Sequence, residues 1–145
     1  MSTTRRLGAE DSATRTALLD AAQHLLLEEG YAAVTSRRVA ARAGLKPQLV
    51  HYYFRTMDDL FLALVRRGAE QNLERQACAL ASPKPLRALW EFSSDPVGTR
   101  LTVELFALAN HRKALRAELA AYAERFRRLQ SDALATVLED AGMDP

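Results

Sequence analysis

Gly44 constrains the fold of this chain more than any other residue, because of what flanks it. The run from Thr35 to Phe54, TSRRVAARAGLKPQLVHYYF, reads as two short helices meeting at a tight turn. Thr35 is a good N-cap, and Val39, Ala40 and Ala43 recur at helical spacing. Gly44 then ends the first helix, since only glycine enters the left-handed conformation of a helix C′ position without penalty. Leu45 plugs the turn, and Pro47 stands where a first helical residue can lack an N–H. In the second helix Val50 and Phe54, four apart, turn inward and leave Gln48, His51, Tyr52 and Arg55 outward. Residues 30–56 contain Arg37, Arg38, Arg42, Lys46 and Arg55 but no Asp or Glu. A helix-turn-helix with a basic face suits a phosphate backbone beside a groove.

The rest of the chain extends this helical plan. Residues 1–11 are polar and read as a flexible arm, and a helix starting near Asp11 or Ser12 runs to Glu29 with Leu18, Ala22, Leu25 and Leu26 on one face. Thr56 caps a fourth helix, with Asp58 and Asp59 against the positive end of its dipole. Its apolar stripe is Leu60, Phe61, Leu64 and Val65, and Ser82-Pro83 ends it. A short helix over 86–92, one from Asp95-Pro96 to about Asn110, and a long one from Lys113 to Ala141 closed by Gly142 complete the pattern. No strand-like alternation, repeat or low-complexity segment interrupts it. The expected fold is all-α: a three-helix head over 12–57, joined by a long fourth helix to a helical body over 58–145.

Charge is distributed along the same division. The 145 residues carry a net charge of only +2. Residues 1–56 hold eight basic and five acidic groups, residues 57–145 twelve and thirteen, which gives +3 and −1. No apolar run is long enough to span a bilayer, and the start lacks a signal-peptide pattern. A single cysteine, Cys78, permits no internal disulfide and fits a reducing cytoplasm. His24, His51 and His111 lie in separate elements without carboxylate or cysteine at metal-ligand spacing. With no phosphate-cradling glycine loop and no nucleophile elbow, no enzyme, metal site or cofactor is expected.

The run GYAAVTSRRVAARAGLKPQLVHYYFRTMDDLFLALV resembles the DNA-binding region of the tetracycline-repressor (TetR) family, and ALLDAAQHLLLEEGY resembles that family's first helix. The likeness covers about Ala13 to Val65. It implies that Thr35, Ser36 and Arg37 lie at a phosphate-contacting helix start. It further implies that Lys46, Pro47, Gln48, His51, Tyr52, Tyr53 and Arg55 form the DNA-facing surface, with Tyr53 half-buried. Three positions depart from the family pattern: His51 replaces a usual tyrosine, Lys46 a frequent serine cap, and Met57 a frequent phosphate-binding lysine for which Arg55 is a substitute. Arg37 and Arg38 have two readings, a solubilising surface or phosphate contacts that relieve a cation beside a helix N-terminus. Gln48 is either a solvated side chain or a bidentate reader of adenine.

In the body, the resemblance implies an effector pocket lined by some of Trp90, Phe92, Phe106, Tyr122 and Phe126, which otherwise are plain packing residues. Cys78 reads as a small core-facing residue or a redox sensor, and Arg125, Arg127 and Arg128 as a solvated face or a grip on an anionic effector. Family members also carry two further helices that pair subunits into a homodimer. Asp144-Pro145 repeats the Asp95-Pro96 signature, so a new helix is expected to begin where the sequence stops, through an engineered boundary or a natural truncation. Leu129, Leu134, Val137 and Leu138 are then expected to form an exposed apolar surface. Two functions follow. One is a ligand-responsive repressor of a double-stranded DNA operator, in which a ligand in the body shifts the fourth helix and respaces the heads of the dimer. The other is a helical effector-binding or protein-interaction module that no longer binds DNA.

Overall fold

The computed structural model describes the backbone of residues 3–143 and the side chains of residues 12–143. Seven α-helices and one 3₁₀ turn account for nearly all of it, and no strand occurs among the described residues. The helices are α1 (Thr3–Glu29), α2 (Ser36–Ala43), α3 (Pro47–Tyr53), α4 (Met57–Leu80), α5 (Pro85–Ser93), α6 (Pro96–Asn110) and α7 (Lys113–Asp140). The chain divides into two compact units, Met1–Leu64 and Val65–Pro145. The division falls inside α4 rather than before it, so the first turns of α4 belong to the head.

In the first unit, α1 begins at Thr3 and not at Asp11 or Ser12. The expected arm is helix from Thr3 on, because its arginines, leucine, alanine and glutamate are good helix formers and a possible cap need not act as one. Leu18, Ala22, Leu25 and Leu26 are all buried at helical spacing, as expected. Gly30, with φ 83°, ends α1 and leads into the 3₁₀ turn Tyr31–Ala33, which no capping or periodic signal in the sequence predicts. Thr35 caps α2, its Oγ1 accepting from the Arg38 N–H at 3.3 Å. At the other end Gly44 is left-handed with φ 68°, and its N–H donates to the Ala41 carbonyl at 3.2 Å. The Leu45 N–H reaches the Ala40 carbonyl at 2.9 Å, completing a Schellman closure. Pro47 is the first residue of α3, and Lys46 before it makes no side-chain cap. Val50 and Phe54 are 1% and 3% exposed, and the Arg15 guanidinium of α1 lies 5.1 Å from the centre of the Phe54 ring. Thr56 and Asp59 cap α4 reciprocally: each backbone N–H donates to the other's side chain at 3.1 Å.

The second unit is organised around α4 and α7. The Arg66 guanidinium of α4 pairs with Glu118 of α7 at 2.7 Å. One turn on, Glu70 accepts from Arg125 at 2.8 Å and from the hydroxyl of buried Tyr122 at 3.0 Å. Arg125 also lies 5.0 Å over the Tyr122 ring. Arg125, followed by the Tyr122 hydroxyl, holds the Glu70 carboxyl below its ordinary range. Burial, then the Glu70 bond, raises Tyr122. Asp95 caps α6 by accepting from the Val97 and Gly98 N–H groups, each at 3.2 Å. It also pairs with Arg75 of α4 at 3.0 Å, and Arg75 stands 5.4 Å over Phe92. A Cβ on Gly98 would come within 2.9 Å of the Asp95 carboxylate, so glycine is what lets the cap and the ion pair share one carboxylate. At the end of α7, Gly142 repeats the Schellman closure, with the Met143 N–H on the Leu138 carbonyl at 2.9 Å. Cys78 is exposed, not core-facing: buried Gln76, two residues earlier, occupies the inward side. The helix start expected at Asp144-Pro145 lies outside the described residues.

Two outcomes are expected from this packing. Phe54→Ala removes a large buried side chain and should destabilise the head by about 3–5 kcal/mol. An unchanged denaturation midpoint for the variant would contradict the burial of Phe54 as an anchor. The second concerns acid. The Glu70 carboxyl is depressed below 4.5, so its contribution is complete above that value and is lost as pH falls through the lower folded one. Thermal melts of Glu70→Gln between about pH 5 and pH 3 should therefore fall less steeply than those of the unmodified chain. Equal slopes would contradict a stabilising role for Glu70.

Candidate nucleic-acid interface

Two arginines of the basic face are already occupied. Arg38 donates to both carboxylate oxygens of Glu29 at 2.6 and 2.7 Å, and Arg42 does the same to Glu28 at 2.6 and 2.7 Å. Glu28 and Glu29 close α1, just before the acid-free window of 30–56. The face is thus not uniformly basic, which corrects the reading from sequence. The pairing has a local cause. The Glu29 carboxylate at the end of α1 and the Arg38 guanidinium in the first turn of α2 each oppose their own helix dipole and relieve each other, whereas Arg42, in the last turn of α2, suits its dipole and relieves only Glu28. Arg42 holds the Glu28 carboxyl below its ordinary range, and Glu28 raises Arg42.

Arg37, Lys46 and Arg55 are exposed and make no ion pair among the described residues. Arg37 lies in the first turn of α2 beside capping Thr35 and half-buried Ser36, so its conflict with the dipole persists. Lys46 and Pro47 open α3, and Gln48, His51 and Tyr52 follow on its exposed side, Tyr52 being 71% exposed. Tyr53 is half-buried and meets Tyr52 edge-on, with ring centres 5.0 Å apart at 89°. Arg55 comes after the C-cap Phe54 and is carried by the α3–α4 link instead of the helix itself. Buried Val50 and Phe54 thus point α3 so that its polar and aromatic residues line one open surface. Three cations without an ion pair among the described residues, an amide and a phenol are exposed on it.

The five aromatic residues of the body do not converge. Trp90 and Phe106 are exposed at 74% and 50%, Tyr122 is buried against Glu70, and Phe126 is half-buried. Of the five, only Phe92 lines a shallow cleft of about 210 Å³. Asn72, Asp95, Gly98, Thr99 and Thr102 line it too, none of them an aromatic or a sequence-derived candidate. The cluster at the middle of α7 is paired as well: Arg125 with Glu70, and Arg127 and Arg128 with Glu124. Leu134 is exposed, whereas Leu129, Val137 and Leu138 are half-buried, so the expected apolar surface on α7 is only partial. Among the described residues no cluster of ligating side chains could hold a metal ion, and no helix is long and apolar enough to cross a membrane.

Residues 18–64 match the family described as bacterial regulatory proteins, tetR family. Over 137 residues the chain is 28% identical to the HTH-type transcriptional repressor BepR of Brucella suis biovar 1 (strain 1330). That alignment covers 90% of this chain but only 66% of BepR. A member of the TetR family from Streptomyces coelicolor A3 superposes with a TM-score of 0.67 at 29% identity, covering 90% of this chain and 91% of that one. Multidrug binding protein EbrR, complexed with ethidium, gives a TM-score of 0.68 at 31% identity, over 89% and 83% of the two chains. The matched segment contains the whole of α2, the Gly44 turn and α3, and the structural likeness extends through the body. The chain belongs to the tetR family of bacterial regulatory proteins.

Proposed function

We propose that this chain is a ligand-responsive repressor that binds a double-stranded DNA operator. The observation that carries the reading is the division of labour on α3. Val50 and Phe54 are buried, which leaves Gln48, His51 and Tyr52 on the open side with Lys46 at the entrance. Arg37 supplies the second element, a cation held at a helix N-terminus without a partner among the described residues, which a phosphate would neutralise. Thr35 and Ser36 lie beside it, and Tyr53 and Arg55 flank the far end of α3. In this assignment Arg37, Lys46 and Arg55 hold the backbone while Gln48 reads a base edge in the major groove.

Support for ligand response comes from the body and from a relative. EbrR, similar to this chain over most of its length, is named a multidrug binding protein and was crystallised with ethidium. The cleft beside Phe92 and Asp95 has an aromatic wall, hydroxyl groups and a carboxylate, features that suit a small organic ligand. Helix α4 runs unbroken from Met57 to Leu80, so a ligand that moves its C-terminal part acts on the helix that ends the head. Assembly as a homodimer would give the two recognition helices that tight specific binding requires. Exposed Leu134, Val103 and Phe106 in the second unit are apolar surface available for such pairing. The site of action is the cytoplasm, where the operator DNA is found.

Substitutions distinguish backbone holding from base reading. Arg37→Ala should weaken binding to operator and scrambled duplexes alike and flatten the salt dependence. Gln48→Ala should relax preference at particular base pairs. Gel-shift titrations against both duplexes measure this. Equal losses on every sequence from both variants would remove Gln48 from base reading. An unmodified chain with no salt-sensitive DNA binding would favour an interaction module instead.

A further inference from the structure

We propose that Glu28 and Glu29 withhold Arg42 and Arg38 from the DNA backbone, so that of the five basic residues over 30–56 only Arg37, Lys46 and Arg55 engage phosphates. This rests on the DNA-binding reading and deepens it, since it says which cations of the head face are available. Four hydrogen bonds of 2.6–2.7 Å engage both oxygens of each carboxylate: Arg42 grips Glu28 fork-to-fork through Nη1 and Nη2, and Arg38 spans the two oxygens of Glu29 with Nη2. A phosphate that recruited Arg38 or Arg42 would have to break a bidentate pair and leave a carboxylate facing DNA, adding repulsion to the loss. Arg37, adjacent in sequence to Arg38, carries no such constraint among the described residues. Two neighbouring arginines in one helical turn therefore have opposite roles: Arg38 fastens α2 to α1, and Arg37 is left for the ligand. The two carboxylates limit the electrostatic, sequence-independent part of DNA affinity while the base-reading side of α3 is untouched.

The test is the salt dependence of binding to a fluorescently labelled duplex of mixed sequence, with circular dichroism melts as a folding control. Each phosphate contact changes the affinity ratio between about 50 and 200 mM salt by roughly 3-fold to 4-fold. Arg37→Gln should lose about that factor. The quadruple variant E28Q/E29Q/R38Q/R42Q removes both arginines without exposing their carboxylates and should keep the salt dependence of the unmodified chain. The double variant E28Q/E29Q releases both guanidiniums and should steepen it by up to about 12-fold over the same range. If the quadruple variant flattens the salt dependence as much as Arg37→Gln or more, the arginines contact DNA and the proposal is wrong. It is equally wrong if E28Q/E29Q, folded as judged by its melt, shows no steepening, and this second variant decides the matter should the quadruple variant not fold. Absence of salt-dependent binding by the unmodified chain overturns the DNA-binding reading itself, and the role of the carboxylates with it.

Discussion

The left-handed turn at Gly44 is the constraint on which the head depends. It ends α2 with two backbone hydrogen bonds and releases the chain at an angle that lets α3 begin only three residues later, at Pro47. Because α3 has just seven residues, it is too short to be stable in isolation and takes its orientation from packing. Val50 and Phe54 supply that packing, and their inward placement decides which residues face out. The exposure of Gln48, His51 and Tyr52 is a consequence of these two apolar side chains and of helical periodicity. Any residue with a Cβ at position 44 would meet no neighbouring atom, but it would have to adopt a positive φ that L-residues avoid. The glycine is needed for conformation and not for space.

Ion pairs take a different part in each unit. In the head they fasten α1 to α2 through Glu28, Glu29, Arg38 and Arg42, and thereby engage two of the five basic residues over 30–56. In the second unit they fasten α4 to α7 and to the start of α6, through Glu118, Glu70, Asp95 and their arginines. All are solvent-accessible, so each contributes little stability singly. Their importance is positional. They set how α4 lies against the other helices of its own unit, and the cleft beside Phe92 is bounded by one of them, Asp95. A ligand there would compete for, or reinforce, the Arg75–Asp95 contact.

The elements were legible in the sequence wherever a local rule applies. Thr35, Gly44, Pro47 and Asp95 act where capping chemistry says they should, and the spacing of Leu18, Leu25, Val50 and Phe54 identified buried faces. What was not legible depended on residues far apart in the chain. Arg38 and Glu29 are nine positions apart, Arg42 and Glu28 fourteen, and no periodic pattern links them. An acid-free window beginning at residue 30 consequently looked wholly basic, although the carboxylates that partly neutralise it stand directly before it. Aromatic identity was equally silent about direction: Phe92 lines the cleft while Trp90, two residues away, faces solvent. The early start of α1 is not legible because Asp11 and Ser12 can cap a helix but are also tolerated within one.

In the proposed function, one open face of the head, formed by the start of α2 and the outer side of α3, is where the chain meets DNA. Backbone amide chemical shifts of the isotopically labelled full chain, followed by NMR while a duplex is added at low salt, test it most directly. The largest changes are expected on residues 35–37 and 46–55 and should diminish as salt is raised. Changes concentrated on α5 to α7, with residues 46–55 unmoved, would contradict it.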